Sequence, residues 1–257
     1  MELQQVLDRM REGILERLEG LSPTLYLCGS LTAGDFHPGW SDIDILVLTA
    51  ETIPEDRAER LLNLRQELVA SWEEPLFRAF EGGMLSLGAF LGDRRDRVVY
   101  WGTSGQRIRG DYDFNSLSMI QLLDGGALWA GREVRERMRR PERSEMVQDI
   151  RAHLDGIREH GDAGRSLYSY GWLLDIARCL YTLRTGKIIA KTVAGEWALA
   201  EGLCPDRAAL ERALAARLNP EKALKSAEAM DYAERLNPTV QRFADVLEAA
   251  LAEEVGA

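Results

Sequence analysis

The sequence predicts an α+β protein in two parts: an N-terminal domain with a small mixed sheet and flanking helices, then a C-terminal all-α helical bundle. Three observations carry this. Helical and strand-like patterns alternate as far as residue 130, the highly charged run REVRERMRRPERSE follows, and beyond Ser144 only helical spacing remains. The boundary falls near residues 138–146, giving domains 1–142 and 143–257.

Val6, Leu7, Met10, Ile14 and Leu18 recur at helical spacing, so residues 2–19 read as an amphipathic helix. TLYLCG and DIDILVLT read as two strands, and EDRAERLLNLRQELVASW between Pro54 and Trp72 has the leucine spacing of a second helix. LFRAFEGGMLSLGAFL and DRVVYWG are strand candidates. NSLSMIQLLDGG is a short helix stopped by Gly125 and Gly126, and ALWAG is a last strand. The charged run reads as a solvated helix and linker. Segments 145–159, 166–185, 191–202, 206–217 and 225–254 read as helices, punctuated by Gly186, Gly202 and Asn-Pro pairs at 219–220 and 237–238.

Composition narrows the function. With 32 basic against 42 acidic residues, the formal charge is −10, which argues against a broad phosphate-backbone binder and suits a cationic substrate. Three cysteines, Cys28, Cys179 and Cys204, sit in apolar contexts without metal-ligand spacing, as in a reduced cytoplasmic protein. Only three histidines are present, too few for a histidine-rich metal site. The charged N-terminal helix lacks the apolar core of a signal peptide, and no later stretch is long and apolar enough to span a bilayer. A cytoplasmic, monomeric protein with small-molecule partners, without nucleic acid or membrane, is the expectation.

The stretch LYLCGSLTAGDFHPGWSDIDILVL holds the chemistry. Residues two apart in a strand share a face, so Asp42 and Asp44 point the same way. Two carboxylates on one face repel, and a plain core strand should not contain them. A divalent cation removes the conflict. Mg²⁺ takes one or two carboxylates and completes its octahedron with water and substrate phosphates. Gly29 and Ser30, at the end of the preceding strand, offer backbone N–H groups and a hydroxyl to those phosphates. Either motif alone is commonplace on loops and exposed strands. Together and in order, leading into an apolar strand, they are specific.

The pattern resembles the signature of the DNA polymerase beta-like nucleotidyltransferase superfamily: Gly-Ser, about ten residues, then Asp-x-Asp in a strand. That resemblance implies that Asp42 and Asp44 hold two Mg²⁺ ions around ATP, with Ser41 beside the nucleotide, and that a third carboxylate completes the site. DIARCLYTLRTGKIIAKTVAGEWAL is similar to the C-terminal helical domain of bacterial aminoglycoside adenylyltransferases, the streptomycin and spectinomycin resistance enzymes. Arg178, Tyr181, Thr185, Gly186, Lys191 and Trp197 fall at the family's intervals. The resemblance implies that Arg178 and Lys191, otherwise readable as helix-surface cations, reach the ATP phosphates across a domain cleft. It also implies Glu81 in LFRAFEGG as general base and third metal carboxylate, with Glu73, Glu74, Asp93 and Asp96 as fallbacks.

The resemblance has gaps. The family's drug-binding acidic residues fall on Gly164 and Tyr168 here, leaving Asp162 and Asp175 as substitutes unless Asp175 faces solvent. A tyrosine near the family's nucleotide is replaced by Arg217, which can still meet phosphate. Trp72, Trp129, Trp172 and Trp197 read as core or interface anchors, while Trp101 and Tyr112 in YWGTSGQRIRGDYD suit an acceptor-site wall. The leading expectation is Mg-dependent transfer of AMP from ATP to a hydroxyl of a small cationic acceptor such as an aminoglycoside. The alternatives are nucleotidyl transfer to a protein or RNA, and a non-catalytic nucleotide-binding partner protein.

Overall fold

The structure, a computed structural model, describes residues 1–92, 94–102 and 105–256. The chain forms two compact units. The first comprises Met1–Thr32, Asp42–Phe114 and Gln121–Arg140, and the second Ala33–Ser41, Asn115–Ile120 and the chain from Pro141 onward.

In the first unit the order is α1 (Leu3–Arg17), β1 (Thr24–Leu27), α2 (Gly29–Thr32), β2 (Ile43–Thr49), α3 (Glu55–Trp72), β3 (Phe80–Ser86), α4 (Leu87–Phe90), β4 (Val98–Gly102) and β5 (Gly105–Arg109). Then come α5 (Ser116–Gly125), which begins within the second unit's segment, and β6 (Ala127–Ala130). The six strands form one mixed sheet in the order β5-β4-β3-β2-β1-β6, parallel only between β2 and β3 and antiparallel elsewhere. A parallel pair needs a crossover, which α3 supplies. Val6, Met10, Ile14 and Leu18 from the first helical segment are fully buried, as are Leu25, Ile43, Val47, Phe80 and Met84 from the sheet. The periods of 3.6 and 2 read in the sequence thus mark the faces that form this core.

The second unit contains α6 (Arg143–His160), α7 (Leu167–Thr185), α8 (Lys191–Ala200), α9 (Arg207–Leu218), α10 (Pro220–Lys225), α11 (Ala227–Glu234) and α12 (Asn237–Gly256). Twelve of the 19 residues of α7 are buried, including Leu173, Leu174, Ile176 and Leu180, which makes it the central helix. Ser166 caps its N-terminus by accepting the Tyr168 N–H, and Gly186 ends it at φ +69°. Among the described residues no helix is long and apolar enough to cross a membrane.

Four expectations are corrected. The strand expected throughout LFRAFEGGMLSLGAFL is confined to β3. Before it, a 3₁₀ turn over Pro75–Ala79 is capped by Glu74, and after it Ser86 accepts the Ala89 N–H and starts α4. The charged run is not a helix up to Arg143, apart from a 3₁₀ turn over Arg135–Arg137. There Glu133 takes both the backbone and guanidinium of Arg135 and the phenol of Tyr26, folding the segment back beside the sheet. The Gly-rich stretch contains β5, paired with β4, although Thr103 and Ser104 lie outside the described residues. The segment 225–254 breaks into separate helices, with Ser226 capping α11 and Asn237 opening α12.

Candidate active site

Gly29 opens α2 at φ +67°, a backbone region that side chains rarely adopt. A Cβ there would lie 1.8 Å from Asp44 Oδ2. Glycine is therefore required twice over, by conformation and by the carboxylate packed against it. The Ser30 hydroxyl donates to the Asp42 carbonyl at 3.4 Å, and the Cys28 N–H donates to the Asp44 carbonyl at 2.9 Å. The Gly-Ser motif and the Asp-x-Asp motif are thereby fastened to each other.

Asp44 is the second residue of β2 and Asp42 immediately precedes the strand; both are partly exposed, Asp44 between the buried Ile43 and Ile45 and Asp42 between the buried Ser41 and Ile43. Across the parallel β2–β3 pairing Asp44 stands in register with Glu81. The two glycines after Glu81 continue the strand for separate reasons. At Gly82, φ is +149° and a Cβ would strike the Ile45 carbonyl oxygen at 1.8 Å, while one at Gly83 would enter the Tyr112 ring at 2.5 Å. The pair lets β2 and Tyr112 close on β3 beside the glutamate.

Two residues near this carboxylate group were missed in the sequence. The Tyr100 hydroxyl donates to Glu81 Oε1 at 2.9 Å, and burial, then the charge of Glu81, pushes the phenol up to about 12, so it stays a donor at neutral pH. Arg65, 5% exposed, donates to the Phe80 carbonyl at 2.7 Å and stacks its guanidinium over Trp101. Burial pulls its pKa down, opposed by the charges of Glu81 and Asp42. A sequence signal existed for Arg65, because it lies four residues after Leu61 on the apolar stripe of α3.

A divalent cation fits this donor chemistry. Among the described residues no three His, Cys, Asp or Glu side chains form a ready-made metal cage. The protein can still offer hard carboxylate oxygens, leaving the remaining coordination to water and phosphate in the way Mg²⁺ favours.

The fallback carboxylates are engaged locally. Glu73 ends α3 in a left-handed conformation, Glu74 caps the following turn, and Asp96 accepts the Arg97 N–H and pairs with Arg94. Asp93 lies outside the described residues. Trp101 is fully buried and is core, not an acceptor-site wall. Trp72 is 46% exposed under Arg9, which removes it from the expected core anchors.

In the second unit Arg178 and Lys191 meet on one carboxylate. Asp175 receives Arg178 Nη2 and Lys191 Nζ, each at 3.0 Å. Asp175 is buried, so the reading that leaves it in solvent is corrected, and two cations already occupy it. Asp162 accepts the Gly164 N–H in an exposed turn, and Tyr168 is 61% exposed.

Ser41 and Arg217 belong to a different cluster of this unit. The Ser41 hydroxyl accepts the His37 N–H at 3.1 Å. Arg217, 2% exposed, donates to Asp35 Oδ2 at 2.6 Å and to the Asp35 carbonyl at 3.0 Å. Its guanidinium thus holds the 33–41 segment that precedes the Asp-x-Asp motif, where a phosphate contact was expected. Thr192 donates to the same carboxylate at 2.5 Å, and His37 Nε2 lies 3.0 Å from it. Burial pushes the Asp35 carboxyl up, but the hydrogen bonds from Thr192 and Arg217 and the charge of Arg217 outweigh it and hold the pKa below its usual value.

Removing one partner of such a pair strands the other, at a cost of about 3–5 kcal/mol. Arg217→Met is expected to lower the urea midpoint of the helical unit sharply, and adding Asp35→Asn should recover part of the loss. Equal midpoints in parent and Arg217→Met would refute this. Because the folded-state pKa of Asp35 is depressed, its contribution is present above the unfolded value of about 3.9 and is lost as pH falls through the folded value.

A family model described as a nucleotidyltransferase domain matches residues 7–75, and one described as the C-terminal domain of aminoglycoside adenylyltransferases matches residues 140–252. Among solved structures, spectinomycin adenyltransferase AAD(9) from Enterococcus faecialis, crystallised with ATP and spectinomycin, matches with a TM-score of 0.71 and 18% identity over 96% of this chain and 100% of that one. No curated protein matches the chain by sequence. Fold, motif order and the two domain models define a nucleotidyltransferase with an appended helical domain. These matches support a member of the aminoglycoside adenylyltransferase family, whose C-terminal domain model covers residues 140–252.

Proposed function

We propose that this enzyme transfers AMP from ATP to a hydroxyl of a small cationic acceptor, with an aminoglycoside as the first candidate. The observation that carries the reading is the register of Asp44 with Glu81 beneath a glycine whose missing side chain makes room for Asp44. A structural relative crystallised with ATP and spectinomycin supports both substrates.

Asp42 and Asp44 would hold Mg²⁺, in the family two ions, which on binding supplies Lewis-acid neutralisation of the triphosphate charge. Glu81 is the general base that accepts the acceptor hydroxyl's proton, and Tyr100 fixes one of its oxygens. The other oxygen would take the proton. Gly29 and Ser30 present backbone N–H groups and a hydroxyl to phosphate, and Ser41 and Arg217 shape the segment that follows. In the second unit, Arg178 and Lys191 offer positive charge suited to phosphate. Capping an antibiotic hydroxyl with AMP by this chemistry would make the protein a cytoplasmic resistance enzyme.

Incubation with labelled ATP, Mg²⁺ and a panel of aminoglycosides is expected to release pyrophosphate with one acceptor or a few, and to leave AMP on that acceptor. Pyrophosphate release that no aminoglycoside stimulates, with label appearing on protein or RNA, would reject the acceptor class.

A further inference from the structure

We infer that Asp175 is a positioning residue, whose carboxylate holds Arg178 and Lys191 side by side and charged for the phosphates of the nucleotide. The inference rests on the proposed nucleotide reading. It begins from the layering of the cluster: the Asp175 side chain is 8% exposed, while those of Arg178 and Lys191 are 28% and 26% exposed. The carboxylate therefore lies behind two cations that reach outward. One negative charge against two positive charges leaves a surplus suited to an anion.

Lys191 is placed against every local preference. It is the first residue of its helix, where the helix dipole disfavours a cation, and its cap, Ala190, provides no side-chain bond. Arg178 stands on the same carboxylate, and Arg217, although paired with Asp35, adds further positive charge nearby. His153, from α6, faces the same group with its Nε2 buried and, among the described residues, without a hydrogen-bond partner, and burial pulls its pKa down. Burial, then the charges of Arg178 and Arg217, pull the Lys191 pKa below its usual value, and Asp175 is the opposing influence. For Asp175, burial works upward, but Lys191, Arg178 and His153 hold its pKa down at about 2, so it is an anion throughout the working range. A lysine needed only for helix stability has no reason to sit here.

The test is ATP affinity by calorimetry from about pH 7.5 to 9.5, below the ordinary lysine value of about 10.4. Lys191 starts below its usual value even beside Asp175, so the parent's own profile is the reference against which the variants are read. In Asp175→Asn, Lys191 loses its counter-charge and its proton, so affinity should fall as pH rises, by up to about one to two decades for a lost charge-assisted contact. Adding Lys191→Arg to Asp175→Asn should abolish that slope, because arginine keeps its proton. A loss in Asp175→Asn that is equal at every pH, or no loss, overturns the inference.

Should Asp175→Asn not fold, parent and Lys191→Arg are compared over the same window. Equal affinity of parent and Lys191→Arg at pH 7.5 supports the inference, and a clear gain in Lys191→Arg at that pH, which would mean that Lys191 is already neutral beside Asp175, overturns it. Lys191→Ala and Arg178→Ala in the same titration separate the two levels. If neither weakens ATP binding, the nucleotide reading itself fails and the inference goes with it.

Discussion

Asp44→Asn is expected to leave a folded protein that no longer transfers nucleotide. A metal ion acting on a phosphoryl group supplies several kcal/mol of charge stabilisation, and ~4 kcal/mol corresponds to about three decades in rate. Asparagine keeps the size and hydrogen-bonding reach of the side chain beside Gly29 but removes the charge proposed to hold the cation. Because Asp44 and Glu81 stand in register on adjacent strands, the substitution also removes a like-charge juxtaposition. The melting temperature should therefore be unchanged or slightly higher, since such pairs cost a few tenths of a kcal/mol to about 1 kcal/mol. Steady-state turnover and thermal unfolding measured together check both halves. Turnover equal to the parent's would remove the metal-site reading. Lost turnover accompanied by a large drop in melting temperature would instead make Asp44 a structural residue.

Local patterns made much of this molecule readable. The helix expected between Pro54 and Trp72 matches α3, because its leucine spacing, acidic first turn and preceding proline all agree. The alternation in β2 shows that Asp42 and Asp44 share a side, and the flanking Gly29 marks the turn before them. What escaped depends on partners distant in sequence. β5 is GQRIR, a polar, mostly exposed edge strand whose identity comes from pairing with β4, and no hydrophobic run announces it. Trp101 ends a strand candidate, but its complete burial, with Arg65 of α3 stacked over it, depends on packing that no local pattern shows. Asp35 is one acidic residue in a loop until Arg217, 182 positions later, closes on it.

The candidate site divides the same way. Neighbours in sequence, Gly29 with Ser30 and Asp42 with Asp44, were legible as motifs. Tyr100 was not, because its contact with Glu81 depends on the antiparallel pairing of β3 and β4, which sets Gly82 opposite Trp101 and Gly83 opposite Tyr100. Gly82 and Gly83 make the same point from the other side. As bare sequence they interrupt a strand, yet each is small because another group, the Ile45 carbonyl or the Tyr112 ring, occupies the space. Asp175 belongs with these. Helical periodicity alone leaves its direction open, and the structure buries it where the lysine at the start of α8 meets it.

The second large effect concerns Glu81. Glu81→Gln preserves the acceptor of the Tyr100 hydrogen bond, as an amide oxygen in place of a carboxylate oxygen, and removes the ability to take a proton. General-base catalysis contributes about 10²- to 10⁴-fold, so kcat should fall by that range while ATP affinity changes little. Tyr100→Phe tests the same assignment from behind. It leaves the base intact but frees one carboxylate oxygen to reorient, and a hydrogen bond to a charged group is worth about 1.5–3 kcal/mol, so turnover should drop by about one to two decades at most. The double variant distinguishes coupled from independent action. If Tyr100 acts only by aiming Glu81, then Tyr100→Phe should cost almost nothing in the Glu81→Gln background, because there is no longer a base to aim. The measurement is single-turnover AMP transfer with saturating ATP and the acceptor identified in the panel. Full additivity would make Tyr100 a residue with its own contact to substrate. An unchanged rate in Glu81→Gln would leave the register between Asp44 and Glu81 as a feature of metal binding or of the fold, with proton removal assigned to another group or to water.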